Sequence, residues 1–228
     1  MRLTHIELPS TNLRAAAEYY RDVLGLPVHE SSDCVRVGVG TTQLEFVRGP
    51  VKAGANHLAI TIPSNQFADA KRWLSARTEI LSLDGRDEFP LGEPWSSESI
   101  YFRGPDGIVL ELIARHKLDN RSSSGFSAAS LLSVSEVGLA VPDVGHAMQD
   151  IEETFGIRSF AGDAESFHAV GDHSGLLILV AAGRRWFPTS DAASAFGHIG
   201  IEMDGTSRPG TMESAAGWKL MSRSDPGS

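Results

Sequence analysis

Apolar and polar positions along this chain alternate in short runs, then change period, and the same change recurs. Leu3, His5 and Glu7 alternate with Thr4, Ile6 and Leu8, which predicts a strand over residues 2–8 with one face free for chemistry. Ser10, Thr11 and Asn12 then offer helix N-caps, Leu13, Ala16, Ala17, Tyr20, Val23 and Leu24 form one helical stripe, and Gly25 supplies a stop. Short strands are expected at 27–31, 34–39 and 43–48, separated by Ser-Ser-Asp and Gly-Thr-Thr turns. The unit reads β-α-β-β-β.

The order returns. A strand over 57–62 leads through Pro63-Ser64-Asn65 to a helix with Phe67, Ala70, Trp73 and Leu74 on its buried side. Strands follow near 79–83, 99–103 and 108–114, with a turn-rich excursion at 84–97 and a Gly104-Pro105-Asp106-Gly107 turn. A Ser-, Asn- and Gly-rich stretch then marks a boundary. A third copy has a strand at 135–141, a helix at 143–155 and strands near Ser159, Phe167 and 176–181. A fourth opens at His198, but after Asp204 the sequence is punctuated by Gly, Ser and Pro, so an incomplete module or a frayed tail is expected. The expected organisation is a domain of two modules carrying the site (1–116), a linker (117–131), an incomplete second domain (132–204) and a tail (205–228). The fold class is α+β, with paired β-α-β-β-β modules forming cupped mixed sheets.

Composition narrows the function. With 228 residues the chain buries a core without staples, and its single cysteine, Cys34, excludes an internal disulfide framework and fits a reducing compartment. Met1 is followed by no basic-then-apolar leader and no run approaches membrane-spanning length, so a cytoplasmic location and no membrane partner are expected. A net charge of −9 argues against nucleic acid. A small molecule is the expected partner.

Strand parity then selects residues. Ile6 and Leu8 claim the helix side of the first strand, leaving His5 and Glu7 on the concave face, and Leu44 and Phe46 leave Glu45 there as well. Leu58 and Ile60 likewise leave His57 concave, and Glu111 keeps that position within the apolar run 109–113. Each of the first two units thus offers one histidine from its first strand and one glutamate from its last. A glutamate within an apolar strand is costly to bury alone, and a metal or another cation is the usual remedy. Two imidazoles and two carboxylates make a mixed site suited to one divalent ion of Zn, Ni, Co, Mn or Fe. In the third copy Gly138 is read in the histidine slot and Leu179 near the glutamate slot. His198 alone keeps its position and is read as structural. This half is expected to cover sheet edges or to make homodimer contacts.

The run Thr4-His5-Ile6-Glu7-Leu8, the segment 17–26 (AEYYRDVLGL) and the segment 101–111 (YFRGPDGIVLE) resemble the vicinal-oxygen-chelate superfamily, which includes glyoxalase I, fosfomycin-resistance proteins, extradiol dioxygenases and metal-free bleomycin-resistance proteins. The resemblance covers residues 1 to about 115 well and 132–204 more weakly. It implies that His5, Glu45, His57 and Glu111 are metal ligands of a glyoxalase I-like lyase or isomerase, with Glu111 also shuttling a proton. His5, His57 and Glu111 alone match the three-ligand set of dioxygenases and fosfomycin-resistance enzymes. Tyr101 is implied as a functional residue by the dioxygenase pattern, although no histidine lies between His57 and Glu111 to serve as that pattern's acid-base group. A phosphonate substrate needs a cationic cradle, for which the chain offers the scattered Arg36, Arg48 and Arg103. A metal-free binding protein of the bleomycin-resistance kind is the non-enzyme alternative.

Overall fold

A computed structural model describes residues 1–223. The first module contains β1 (Arg2–Ser10), α1 (Leu13–Glu18, running on into a π-helical turn), β2 (Val28–Glu30), β3 (Cys34–Val39) and β4 (Thr42–Arg48). The second contains β5 (His57–Ile62), α2 (Phe67–Ser75), β6 (Phe89–Leu91), β7 (Ser97–Arg103) and β8 (Val109–Arg115). The third contains β9 (Ser133–Val141), α3 (Val144–Phe155), β10 (Ser159–Gly162), β11 (Phe167–Asp172) and β12 (Gly175–Ala181). The fourth has strands only: β13 (Ile199–Asp204), β14 (Gly210–Glu213) and β15 (Trp218–Ser222). The stretch expected as a tail from residue 205 contains the β14–β15 hairpin, and its last five residues lie outside the description.

Local chemistry sets the elements. The Asn12 side chain accepts from the Ala15 N–H at 3.1 Å and Asp143 from the His146 N–H at 2.7 Å, each satisfying an orphan donor at a helix start. The helix α3 ends where Gly156 takes a left-handed φ of 67°. Between Gly104 and Ile108 the chain turns through Asp106 and Gly107, both at positive φ, and the Asp106 carboxylate accepts from Ser10 Oγ at 2.7 Å, so this turn fastens the second module to the end of β1. The strand expected near 79–83 reduces to bridges at Ile80 and Leu83. Asp84 and Gly85 turn the chain there, and pairing with β7 resumes only at Phe89–Leu91.

The modules pair in an order that separates the first from the second. One sheet runs β14-β15-β13-β1-β4-β3-β2 and joins modules one and four; the other runs β10-β11-β12-β9-β5-β8-β7-β6 and joins modules two and three. Residues 1–116 therefore do not close on themselves as a domain: β1 is antiparallel to β13 and β5 is antiparallel to β9. Each C-terminal module covers a strand edge that the N-terminal half leaves open. A continuous apolar core containing Ile6, Leu44, Ile60, Leu112, Leu139 and Phe155 draws on both sheets and the helices. The hydroxyl of Thr42 donates to the Leu3 carbonyl at 2.8 Å and accepts from the Val134 N–H at 3.0 Å, which ties the two sheets together. The expected linker is ordered over α2, where Gln66 and Asn65 hydrogen-bond to the backbone of Ser124 and Ser122.

Candidate metal centre

The side chains that β5, β8 and β9 turn to the concave face of the eight-stranded sheet are His57, Glu111 and Glu136. Ala59 lies opposite Glu111 on one side and Glu136 on the other, so the two carboxylates flank it and His57 stands two residues away on the same face. One ligand atom from each of the three residues lies within 4.8 Å of the others, and all three residues are buried. His57 Nε2 is 3.5 Å from Glu111 Oε2 and 3.8 Å from Glu136 Oε2. Its Nδ1 is 3.1 Å from the Val109 carbonyl, which can only accept, so the proton sits on Nδ1 and Nε2 is presented to the carboxylates.

The sequence expectation of four ligands in one site is corrected by the sheet pairing. His5 and Glu45 do meet, at 3.1 Å, but in the seven-stranded sheet, where Arg36 also binds Glu45. His57 and Glu111 meet in the other sheet, and their third neighbour is Glu136. The residue to align with His57 in the third module is Glu136, not Gly138: His57 and Glu136 each stand six residues before a proline, Pro63 and Pro142. That spacing was the available signal. The matching last-strand position, opposite Gly138, is Ile178 and not Leu179. His198 is exposed and contacts Glu7.

Above the three residues opens a cavity of about 490 Å³, lined by the aromatic side chains of Phe89, Trp95, Tyr101, Phe167, Trp186 and Phe187, with Arg86 and Arg184 also in its wall. Trp186 comes from the irregular segment between β12 and β13, and no periodicity announced it. Its ring stacks on His57 with centroids 5.3 Å apart, and its indole N–H donates to the Ala55 carbonyl at 2.9 Å. A Cβ on Gly138 would stand 2.3 Å from that ring, so the glycine makes room for the tryptophan. Of the arginines considered for a phosphonate cradle, none lines the cavity: Arg36 holds Glu45, and Arg103 bonds to the Gly107 carbonyl and Asp191.

The charges do not balance. Burial, reinforced by the charge of Glu136, pushes the Glu111 carboxyl up to about 7 against the pull of His57 and Arg115. Burial acts on Glu136 in the same direction, but Arg115 and His57 outweigh it and hold that carboxyl below its ordinary value. For His57, burial lowers the pKa, yet the nearby carboxylates of Glu136 and Glu111 leave it raised. Burial and the same carboxylates keep the Tyr101 phenol protonated. Two carboxylates against one guanidinium leave one negative charge over, which a proton held by the His57–Glu111 pair, or a bound cation in its place, can offset.

The model of the Glyoxalase/Bleomycin resistance protein/Dioxygenase superfamily matches residues 2–112. Metallothiol transferase FosB of Staphylococcus haemolyticus is 32% identical over 117 residues, spanning 48% of this chain and 81% of that protein. The chain belongs to this superfamily. FosB of Staphylococcus epidermidis matches to the same extent. Over 97% of the chain, the superfamily fold is shared with a Bacillus subtilis putative dioxygenase (TM-score 0.63, 12% identity, 85% of that chain) and with maize glyoxalase I (TM-score 0.57, 16% identity, 91% of that chain). No helix among the described residues is long and apolar enough to cross a membrane.

Proposed function

We propose that the protein is a divalent-metal-dependent enzyme of the glyoxalase I-like kind, acting on a small substrate with two adjacent oxygens at His57, Glu111 and Glu136. The observation that carries this reading is the convergence of ligand atoms from three buried residues within 4.8 Å at the floor of a largely apolar cavity. One imidazole and two carboxylates fit Zn, Ni, Co, Mn or Fe, leave positions open for substrate, and carry the surplus negative charge that a cation offsets. The name of the Staphylococcus relatives, metallothiol transferase, supports metal dependence. When bound, a divalent ion supplies Lewis-acid stabilisation of charge developing on neighbouring substrate oxygens.

The remaining work falls to the chain. Glu111, a buried carboxylate on the cavity floor, would take a proton from a substrate carbon and return it to the adjacent one. Glu136 stays ionised beside Arg115 and keeps the floor of the cavity negative. Tyr101 retains its proton and can orient a substrate oxygen by donating a hydrogen bond. Trp186 and Ile178 wall the site against water.

A second reading, an iron-dependent ring-cleaving dioxygenase, is supported by the six aromatic side chains of the lining and by Tyr101 opposite Glu111 on the neighbouring strand. Against it, His57 is the one histidine among the described lining residues. Untagged, metal-stripped protein should regain one divalent ion per chain and, with it, catalyse carbon-bound hydrogen exchange of an α-hydroxy ketone in deuterated water. Glu111→Ala should abolish the exchange. Iron-dependent oxygen uptake on catechol would select the dioxygenase, and failure to bind any metal would leave the metal-free binding protein.

A further inference from the structure

Arg115 is the largest fully buried side chain among the described residues, and nothing in the proposed reaction uses it directly. It ends β8 on the concave face, four residues beyond Glu111, and its Nη2 donates to Glu136 Oε1. The other oxygen of the same carboxylate, Oε2, faces His57 Nε2 at 3.8 Å. The two oxygens of Glu136 are thus divided between the guanidinium and the ligand cluster. Arg115 itself is absent from the cavity lining, and the Trp95 ring lies 5.9 Å from its guanidinium carbon. Among the described residues its Nε and Nη1 have no hydrogen-bond partner, nor do the hydroxyls of Ser97 and Ser99 on the neighbouring strand. A buried guanidinium left with two unmade hydrogen bonds is costly, so this is no arrangement for stability alone.

We propose that Arg115 is the positioning residue that makes Glu136 a one-oxygen metal ligand. By holding Oε1, it fixes the carboxylate plane and turns Oε2 toward Nε2 of His57. The proposal rests on the reading of the cluster as a metal centre. It also accounts for a difference between modules: His57 needs only the Val109 carbonyl to orient its ring, whereas a glutamate in the equivalent first-strand slot has two equivalent oxygens and a free torsion, and needs a partner to choose one.

The charge effect and the positioning effect have opposite signs. Removing a cation from beside a metal site favours metal binding by simple Coulomb attraction. Removing the group that orients a ligand weakens it, by roughly 10- to 100-fold. Metal-stripped full-length protein is titrated with Zn²⁺ and Mn²⁺ against a competing chelator, with circular dichroism and thermal melts to report folding. Arg115→Met should weaken binding by about that factor, and Arg115→Lys, which keeps the charge but loses the planar fork, should weaken it less. The double variant Arg115→Met/Glu136→His should recover affinity, because an imidazole in that slot no longer needs the guanidinium. Folded Arg115→Met that binds as tightly as the native chain or tighter overturns the proposal, as does a double variant with no recovery. If Arg115→Met does not fold, Arg115→Lys decides: native affinity there overturns the proposal. A native chain that binds no metal removes the metal reading itself, whereas native binding unaffected by the Arg115 variants removes only the role assigned to Arg115.

Discussion

The two sheets present the same strand framework with different outcomes on their concave faces. In the eight-stranded sheet, Ala59 faces Glu136, and the first-strand residues of modules two and three meet beside Glu111. In the seven-stranded sheet the counterpart of Ala59 is Glu7, and it faces Gly200, two residues beyond His198. The fourth module's first strand is therefore displaced by two residues along β1, roughly 7 Å. A shift of two keeps every side chain on its own face but carries His198 away from His5 and Glu45, to Glu7 instead. The place that Glu136 takes opposite Ala59 is held opposite Glu7 by Gly200, which has no side chain to offer, and Arg36 neutralises Glu45. Equal residue types on equal strands do not make equal sites; inter-module register decides which of them converge.

The largest expected contrast is in pH dependence. In metal-free protein Glu111 is raised from 4.5 to about 7, so the folded state holds a proton that the unfolded state has released, and stability present below the unfolded value is lost as pH rises toward 7. The size is of the order of 3 kcal/mol. Glu136, held low by Arg115 and His57 despite burial, contributes in the opposite sense and loses its contribution only in the acid range. Denaturant melts of metal-stripped protein between about pH 5 and 8 should show falling stability, flattened by Glu111→Gln or by added metal. The same scan on Glu45→Gln should retain the slope of the native chain.

A smaller contrast concerns two equivalent glycines. Gly138→Ala drives a methyl into the Trp186 ring and should cost about 1–3 kcal/mol, with a change in tryptophan fluorescence. At Gly200 a Cβ would meet the Glu7 side chain, its Cβ at 3.3 Å and its Oε1 at 4.0 Å, and Gly200→Ala should cost less than about 1 kcal/mol. Smallest of all is Arg36→Ala: its pair with Glu45 is solvent-screened, and thermal melts should move little. A large loss at Arg36 or Gly200 would mean that the seven-stranded face is as tightly built as the other.

Parity reads the face of a strand well. It put His5 beside Glu45 and His57 on the same face as Glu111, and the β-α-β-β-β order of the first three modules follows from the change of period at Pro9, Pro63 and Pro142. It says nothing of which strand a module's edge will choose, because alternation is identical whichever neighbour pairs with it. Hence alternation alone points the first two modules, adjacent in sequence, to one site, whereas they lie in separate sheets. Glu136 escaped notice because Gly138, on the same face two residues on, fits an apolar alternation equally well. Trp186 sits in an irregular segment, where position is set by what the ring packs against, here His57 and the open side of Gly138.

The central claim, that one sheet assembles a metal centre and its counterpart does not, is tested most directly by anomalous scattering from crystals of the metal-stripped chain grown with Mn²⁺. The expected result is one strong peak among His57 Nε2, Glu111 and Glu136, lost in His57→Ala and retained in His5→Ala. A peak between His5 and Glu45, or none among the three buried residues, would contradict it.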